Sequence, residues 1–203
     1  MALIMYFTRA QRHDGVDMKD IQLMESYFRW QHEKEIGSRY GNGSFEDWCG
    51  YSEKELPAAE IIDYYKKFFT TKTEYVEGLG KQENNSLVEQ LARLVKTNHV
   101  FNWFIKHVMD GNINKEYYEV TQDNLKCFLD SCYQVKDSSD EYSVDVDVAK
   151  EVLPLMDGVG YFFGPNVYNE FYTESVNDVI KVVEDILETT NFEEQTIYFN
   201  ATW

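Results

Sequence analysis

Ser86–Val108, SLVEQLARLVKTNHVFNWFIKHV, is the stretch from which the fold is read. Leu87, Leu91, Leu94, Asn98, Phe101, Ile105 and Val108 recur at spacings of four and three, the period of a helical face turned toward a core. The spacing predicts one central helix over the whole stretch. Ser86 with Glu89 reads as a capping box at its start, and Gly111 lies just past its last apolar position, where helices stop. The one polar member of the stripe is Asn98, whose buried amide must find partners or cost about 1–3 kcal/mol. It either braces a neighbouring loop or reads the edge of a ligand in a pocket. Lys96 and His99 flank it, and Trp103 follows one turn after His99, so cation, amide, imidazole and indole emerge from neighbouring turns. Such a grouping suits an anionic, ring-bearing ligand, with Lys96 meeting phosphate and the aromatic faces stacking.

Working outward, a chain of 203 residues is long enough for one well-buried core and short for two, so a single domain, 1–203, is expected. The aromatic share of 16% supplies large stiff groups for a core or for stacking on ligands. A net charge of −17 repels phosphate backbones and anionic lipid heads, which disfavours direct nucleic-acid or membrane-surface binding and leaves a basic partner or a shielded ligand pocket. Cys49, Cys127 and Cys132 form an odd set with no accompanying His/Cys cluster, which reads as reduced structural thiols rather than a zinc site. The opening MALIMYFTRAQR has too short an apolar run for a signal peptide or a membrane span. A soluble intracellular protein is the expectation.

Ala2–Thr8 is a β-rich apolar run, and Gln195–Trp203 is another that alternates Ile197, Phe199, Ala201 and Trp203 with polar neighbours. These two strands are expected to pair antiparallel. Between them an amphipathic helix is expected over Asp17–Glu35, a loop over FEDWCGY, and a long helix from Pro57 whose stripe runs Ala58, Ile61, Ile62, Tyr65, Phe68 and Phe69. A loop is expected over Tyr75–Asn85, then a short strand over Glu116–Val120 and a helix capped by Thr121. The acidic KDSSDEYSVDVD segment reads as a solvated, mobile loop, GVGYFFG as a buried strand between turns, and Thr173 as the start of a last helix burying Val176, Val179, Ile180, Val183, Ile186 and Leu187. The fold class is therefore α+β: a mostly helical single domain with a small antiparallel sheet pairing the N- and C-terminal strands.

No catalytic motif stands out. GVGYFFG places aromatic bulk where phosphate needs bare backbone, and no Gly-Lys-Ser/Thr follows it, so nucleotide triphosphate hydrolysis is unsupported. His99 and His107 lack a carboxylate at motif spacing, so no metal site is expected, and nothing calls for a cofactor. The pairs Glu33/Glu35 and Asp145/Asp147 read as solvated faces in so acidic a chain. If the central helix faces the GVGYFFG turn, Lys96, Asn98, His99 and Trp103 form one wall of a pocket, Tyr161, Phe162, Phe163 and Tyr168 another, and Trp203 closes the end.

Several segments carry a resemblance: VKTNHVFNWF, VMDG, YYEVTQDNL, LPLMDGVGYFFGPNVYNEFY and NATW. They resemble a family of proteins from phages and prophages of Gram-positive bacteria, which has Trp-Arg-Lys-Ala-Asn-x-Ile-His-x-Trp-Phe on a central helix, a Leu-Pro-Thr-x-x-Gly-Phe-Phe-Phe-Gly-Ser run and a final Ser-Trp. The matching positions include Lys96, Asn98, Trp103, Phe104, Leu153, Pro154, Gly160, Phe162, Phe163, Gly164, Tyr168 and Trp203. Val95 and Phe101 stand where the family has Arg and His, which weakens or moves any anion site built on those two. The resemblance implies a phage origin and no established reaction. With that origin, a compact chain rich in Trp and Tyr with a few polar groups leads to the expectation of a non-catalytic accessory protein in the cytoplasm of an infected bacterium that sequesters a nucleotide-derived immune signal. Its rivals are an acidic DNA mimic or inhibitor docking on a basic host protein, and a signal-degrading enzyme. A homo-oligomer is left open.

Overall fold

The computed structural model describes residues 2–76, 80–139, 143–164 and 166–203, with side chains throughout except at 71–84 and 161. Among the described residues the elements are β1 (Ile4–Gln11), α1 (Met18–Glu35), α2 (Phe45–Cys49), α3 (Ala59–Lys66), β2 (Thr70–Val76), β3 (Gly80–Ser86), β4 (Val88–Val95), α4 (Asn98–His107), β5 (Tyr118–Val120), α5 (Gln122–Ser138), α6 (Val146–Val152), α7 (Glu170–Thr189) and β6 (Gln195–Thr202). The fold is α+β and mostly helical, as expected. The chain clusters into two compact units, 1–9 with 90–203 and 10–89, and passes between them within β1 and β4. No helix among the described residues is long and apolar enough to cross a membrane.

The larger unit is built on a sheet of order β4-β1-β6-β5. β5 and β6 pair antiparallel, with Tyr118 opposite Phe199 and Val120 opposite Ile197. The two terminal strands pair as predicted. Phe7 of β1 packs on Phe199 of β6 at 5.4 Å, and Arg9, near the end of β1, donates to the Thr189 carbonyl just ahead of β6, so the two run antiparallel. The expected alternation along β6 does not hold. Thr196–Ala201 are all buried, so both faces of this interior strand are covered. Phe104 of α4 stacks on Phe199 at 4.2 Å and meets Phe128 of α5 at 5.2 Å, which joins helices and sheet into one core. α7 buries Val176, Val179, Ile180, Val183 and Ile186 as its spacing requires; it starts one turn earlier than Thr173 because Asn169 caps it.

The predicted central helix divides in two. Val88–Val95 is an edge strand beside β1, and the helix starts only at Asn98. A V-x-x-L-A-x-L-V pattern satisfies the helical period, but it also sets Ala92 and Leu94 on one face of a strand, and pairing with β1 supplies the backbone with partners. Lys96 makes the break. It adopts φ 59, a left-handed conformation that no helix interior allows, and its N–H donates to the Leu3 carbonyl at 3.0 Å. Ser86 caps no helix either. Its hydroxyl donates to Glu25 Oε2 at 2.7 Å and accepts from the Val88 N–H.

The smaller unit corrects three further expectations. FEDWC is a helix rather than a loop, because Ser44 and Asp47 form a capping box and Gly50, at φ 79, ends it. α3 stops at Lys66, short of Phe68 and Phe69, where the β-branched run Thr70, Thr71 and Thr73 turns the chain into β2. Where a loop was expected over Tyr75–Asn85, β2 and β3 pair antiparallel from Thr70↔Ser86 to Val76↔Gly80; residues 77–79 lie outside the described set. α1 matches its expected span, and Leu23 and Trp30 on it pack with Phe45.

Candidate functional site

The acidic segment before Leu153 holds a helix its composition concealed. Asp145 accepts from the Asp147 and Val148 N–H groups and starts α6, while residues 140–142 of the expected mobile loop lie outside the described set. α6 delivers the chain to a loop whose backbone is gripped residue by residue. The Tyr172 hydroxyl donates to the Leu153 carbonyl at 2.8 Å. Asn102 Nδ2 donates to the Pro154 carbonyl at 3.0 Å and reaches that of Leu155 at 3.4 Å. The Leu155 N–H donates to the Tyr168 hydroxyl at 3.0 Å, and the Met156 N–H to Asn98 Oδ1 at 3.3 Å. Irregular backbone can lie against a core only if its polar groups find partners, and here α4, Tyr168, and Tyr172 in the first turn of α7 provide them. Asn98, fully buried, is thus a brace of this loop.

Farther along, the expected strand GVGYFFG is a 3-10 turn, Tyr161–Phe163. It does lie against the start of α4. Gly164 sits at φ +122 with its Cα against the Lys96 carbonyl, where a Cβ would stand 1.9 Å from the oxygen, and the Leu3 N–H donates to the Phe162 carbonyl at 2.9 Å. Only glycine fits there.

The braced loop floors a cleft of about 560 Å3 lined by Lys150, Met156, Asp157, Val159, Asn166 and Tyr168 among others. Its size suits a small ligand, and its lining residues carry an ammonium, a carboxylate, an amide and a phenol. Among the described side chains expected to line a pocket, Tyr168 alone reaches this cleft. Trp103 is buried, donates through Nε1 to Ser131 Oγ at 3.3 Å, and belongs to a different depression. Phe163 and Trp203 come together at 6.3 Å, and Trp203 also touches Phe101 and receives the Lys115 ammonium over its ring. Phe162 is exposed, Lys96 half-buried, and the Tyr161 side chain lies outside the described set. His99 is buried edge-on to Tyr172 at 5.1 Å, neither ring nitrogen has a hydrogen-bond partner among the described residues, and burial drives its pKa down to about 3. A neutral imidazole sealed in the core brings no positive charge to an anion.

A second cleft of about 180 Å3 gathers residues that sequence reading left apart: Asn102, His107, Cys127, Ser131 and Glu151, around Trp103. His107 stacks on Trp103 at 4.3 Å, and desolvation together with the Lys106 ammonium lowers its pKa, so the ring is neutral at pH 7. These groups come from three separate helices, and no spacing rule links them. No group of three metal-ligating side chains occurs among the described residues.

No family model, curated protein or solved structure matches the chain.

Proposed function

We propose that the protein binds a small polar molecule in the Lys150–Tyr168 cleft and sequesters it without catalysis, as a phage accessory protein acting on a nucleotide-derived signal of its host. The observation that carries this reading is the fixing of four successive loop residues, Leu153–Met156, by side chains of the core. A loop held this way loses little freedom on binding, and pre-organisation is what a binder without turnover needs. Lys150 supplies a cation for an anionic group and Tyr168 a face for a ring. The phage setting rests on the resemblance of the LPLMDGVGYFFG and VKTNHVFNWF segments, and the nucleotide on a compact chain rich in Trp and Tyr with a few polar groups.

The test is a thermal-shift screen of the pure protein against cyclic dinucleotides and cyclic ADP-ribose isomers, followed by recovery of the ligand after denaturation. A shift with intact ligand returned is the expected result; no shift with any nucleotide sinks the reading. A second reading, a signal-degrading enzyme, is favoured by the thiol of Cys127, the neutral imidazole of His107 and the carboxylate of Glu151 lining one cleft. It predicts altered ligand on recovery and loss of that alteration in Cys127→Ser.

A further inference from the structure

The smaller unit carries a site of different character. An open groove of about 440 Å3 is lined by Arg39, Tyr40, Gly43, Asp47 and Trp48. Its frame is fixed from beneath. Gly41 presses so closely on α1 that a Cβ would stand 2.4 Å from the Lys34 nitrogen; the Trp30 indole donates to the Gly43 carbonyl at 3.2 Å; and the Ser44–Asp47 capping box holds α2 in place. On this frame Tyr40 is 59% exposed and Trp48 36%, with Ile36 and Tyr51 exposed nearby in the chain. Large aromatic groups held out on a rigid backbone mark a contact surface rather than a core that failed to close.

The chemistry of the groove names its partner. Arg39 already lays its guanidinium over the Tyr40 ring, 4.7 Å from the centroid, and donates to the Tyr40 hydroxyl at 2.6 Å. An internal cation therefore occupies an aromatic face that faces solvent. Beside it the Asp47 carboxyl is held below its usual pKa, chiefly by the Ser44 hydroxyl and then by the Ser44 backbone, so it stays charged at any physiological pH. Aromatic faces next to a carboxylate suit a guanidinium, which stacks and ion-pairs at once, and a chain of net charge −17 draws basic partners toward itself and repels nucleic acid.

We propose that this groove docks an arginine side chain presented by a basic segment of another protein, the incoming guanidinium stacking on Trp48 and taking the place Arg39 holds over Tyr40. The inference is independent of the small-molecule reading, since every residue it uses lies in the 10–89 unit.

The experiment is fluorescence anisotropy of the full chain with a labelled Gly-Arg repeat peptide and its Gly-Lys counterpart, at about 0.15 M and about 0.5 M salt. Expected are tighter binding of the arginine peptide, a residue of binding at high salt, and a loss of roughly 3- to 30-fold in each of Tyr40→Ala and Trp48→Ala, with Trp48→Phe largely restoring it. Arg39→Ala, which vacates the ring, should bind the peptide several-fold more tightly. Wild-type affinity in both aromatic variants, equal binding of the two peptides, or no binding at all would overturn the proposal; the first two mark only the general attraction of an acidic protein for cations. Unfolding curves of each variant confirm that a folded groove was tested.

Discussion

The first turn of α4 carries two neighbouring polar residues, equally buried and oppositely served. On the side toward the loop, Asn98 accepts from the Met156 N–H; on the side toward α7, His99 lies edge-on to the Tyr172 ring, and neither of its nitrogens has a hydrogen-bond partner among the described residues. Burial alone therefore does not tell what a polar side chain contributes. Removing Asn98 would strand a backbone N–H inside the protein, whereas removing the imidazole strands nothing. The loop-facing seam is held together by its polar groups, and the α7-facing seam is held together in spite of one.

The largest expected effect bears on the loop-facing seam. Gly164→Ala forces a Cβ into the Lys96 carbonyl at a backbone angle closed to alanine, and should cost more than about 4 kcal/mol, read as loss of the cooperative urea transition. Next comes acid. The unfolded chain protonates His99 near pH 6.5 and the folded protein only near 3, so stability present above pH 6.5 is lost as pH falls through that window, by something on the order of 4 kcal/mol. Comparing the pH dependence of wild type and His99→Phe by chemical denaturation isolates this share from that of the carboxylates; equal slopes would show that the imidazole has found a partner.

Asn98→Ala should then cost roughly 2–3 kcal/mol, and Tyr172→Phe, which frees the Leu153 carbonyl, roughly 1–2. Both should speed hydrogen exchange along Leu153–Met156 more than along β6. The smallest change sharpens the comparison most. His99→Phe at pH 7 is expected to be neutral or to stabilise by up to about 1 kcal/mol, since an apolar ring can fill the same place against Tyr172 without unpaired nitrogens. A loss as large as that of Asn98→Ala would erase the distinction between the two seams.

Much of the framework was legible in the residues. The helix starts at Asp17 and Thr121, the stripe from Val176 to Ile186 and the β-rich runs at both ends are local signals that the fold keeps. Ser86–Val108 failed because its apolar spacing fits a helix and a strand alike, and the choice was made by β1, more than seventy residues away in the chain. Asn98 was correctly singled out as a buried amide needing a partner, yet that partner, the Met156 N–H, belongs to a loop with no periodicity to read. Asn102 was missed although it grips two carbonyls of the same loop, since it lay off the apolar stripe. The short helices α2 and α6 were hidden by composition, aromatic in one case and acidic in the other, with only their caps to betray them.

The pairing of β1 with β6 also sets a timetable. β6 is the strand that joins β5 to β1, so the sheet of the larger unit stays in pieces until residues 195–202 have been synthesised. At 5–20 residues per second the ribosome needs roughly ten to forty seconds to reach them after starting β1. Through that interval Leu3, Met5 and Phe7, all fully buried in the finished protein, wait with a strand edge open. The unit completes its core only once β6 has left the ribosome, and a nascent chain stalled before Gln195 would be a substrate for chaperones.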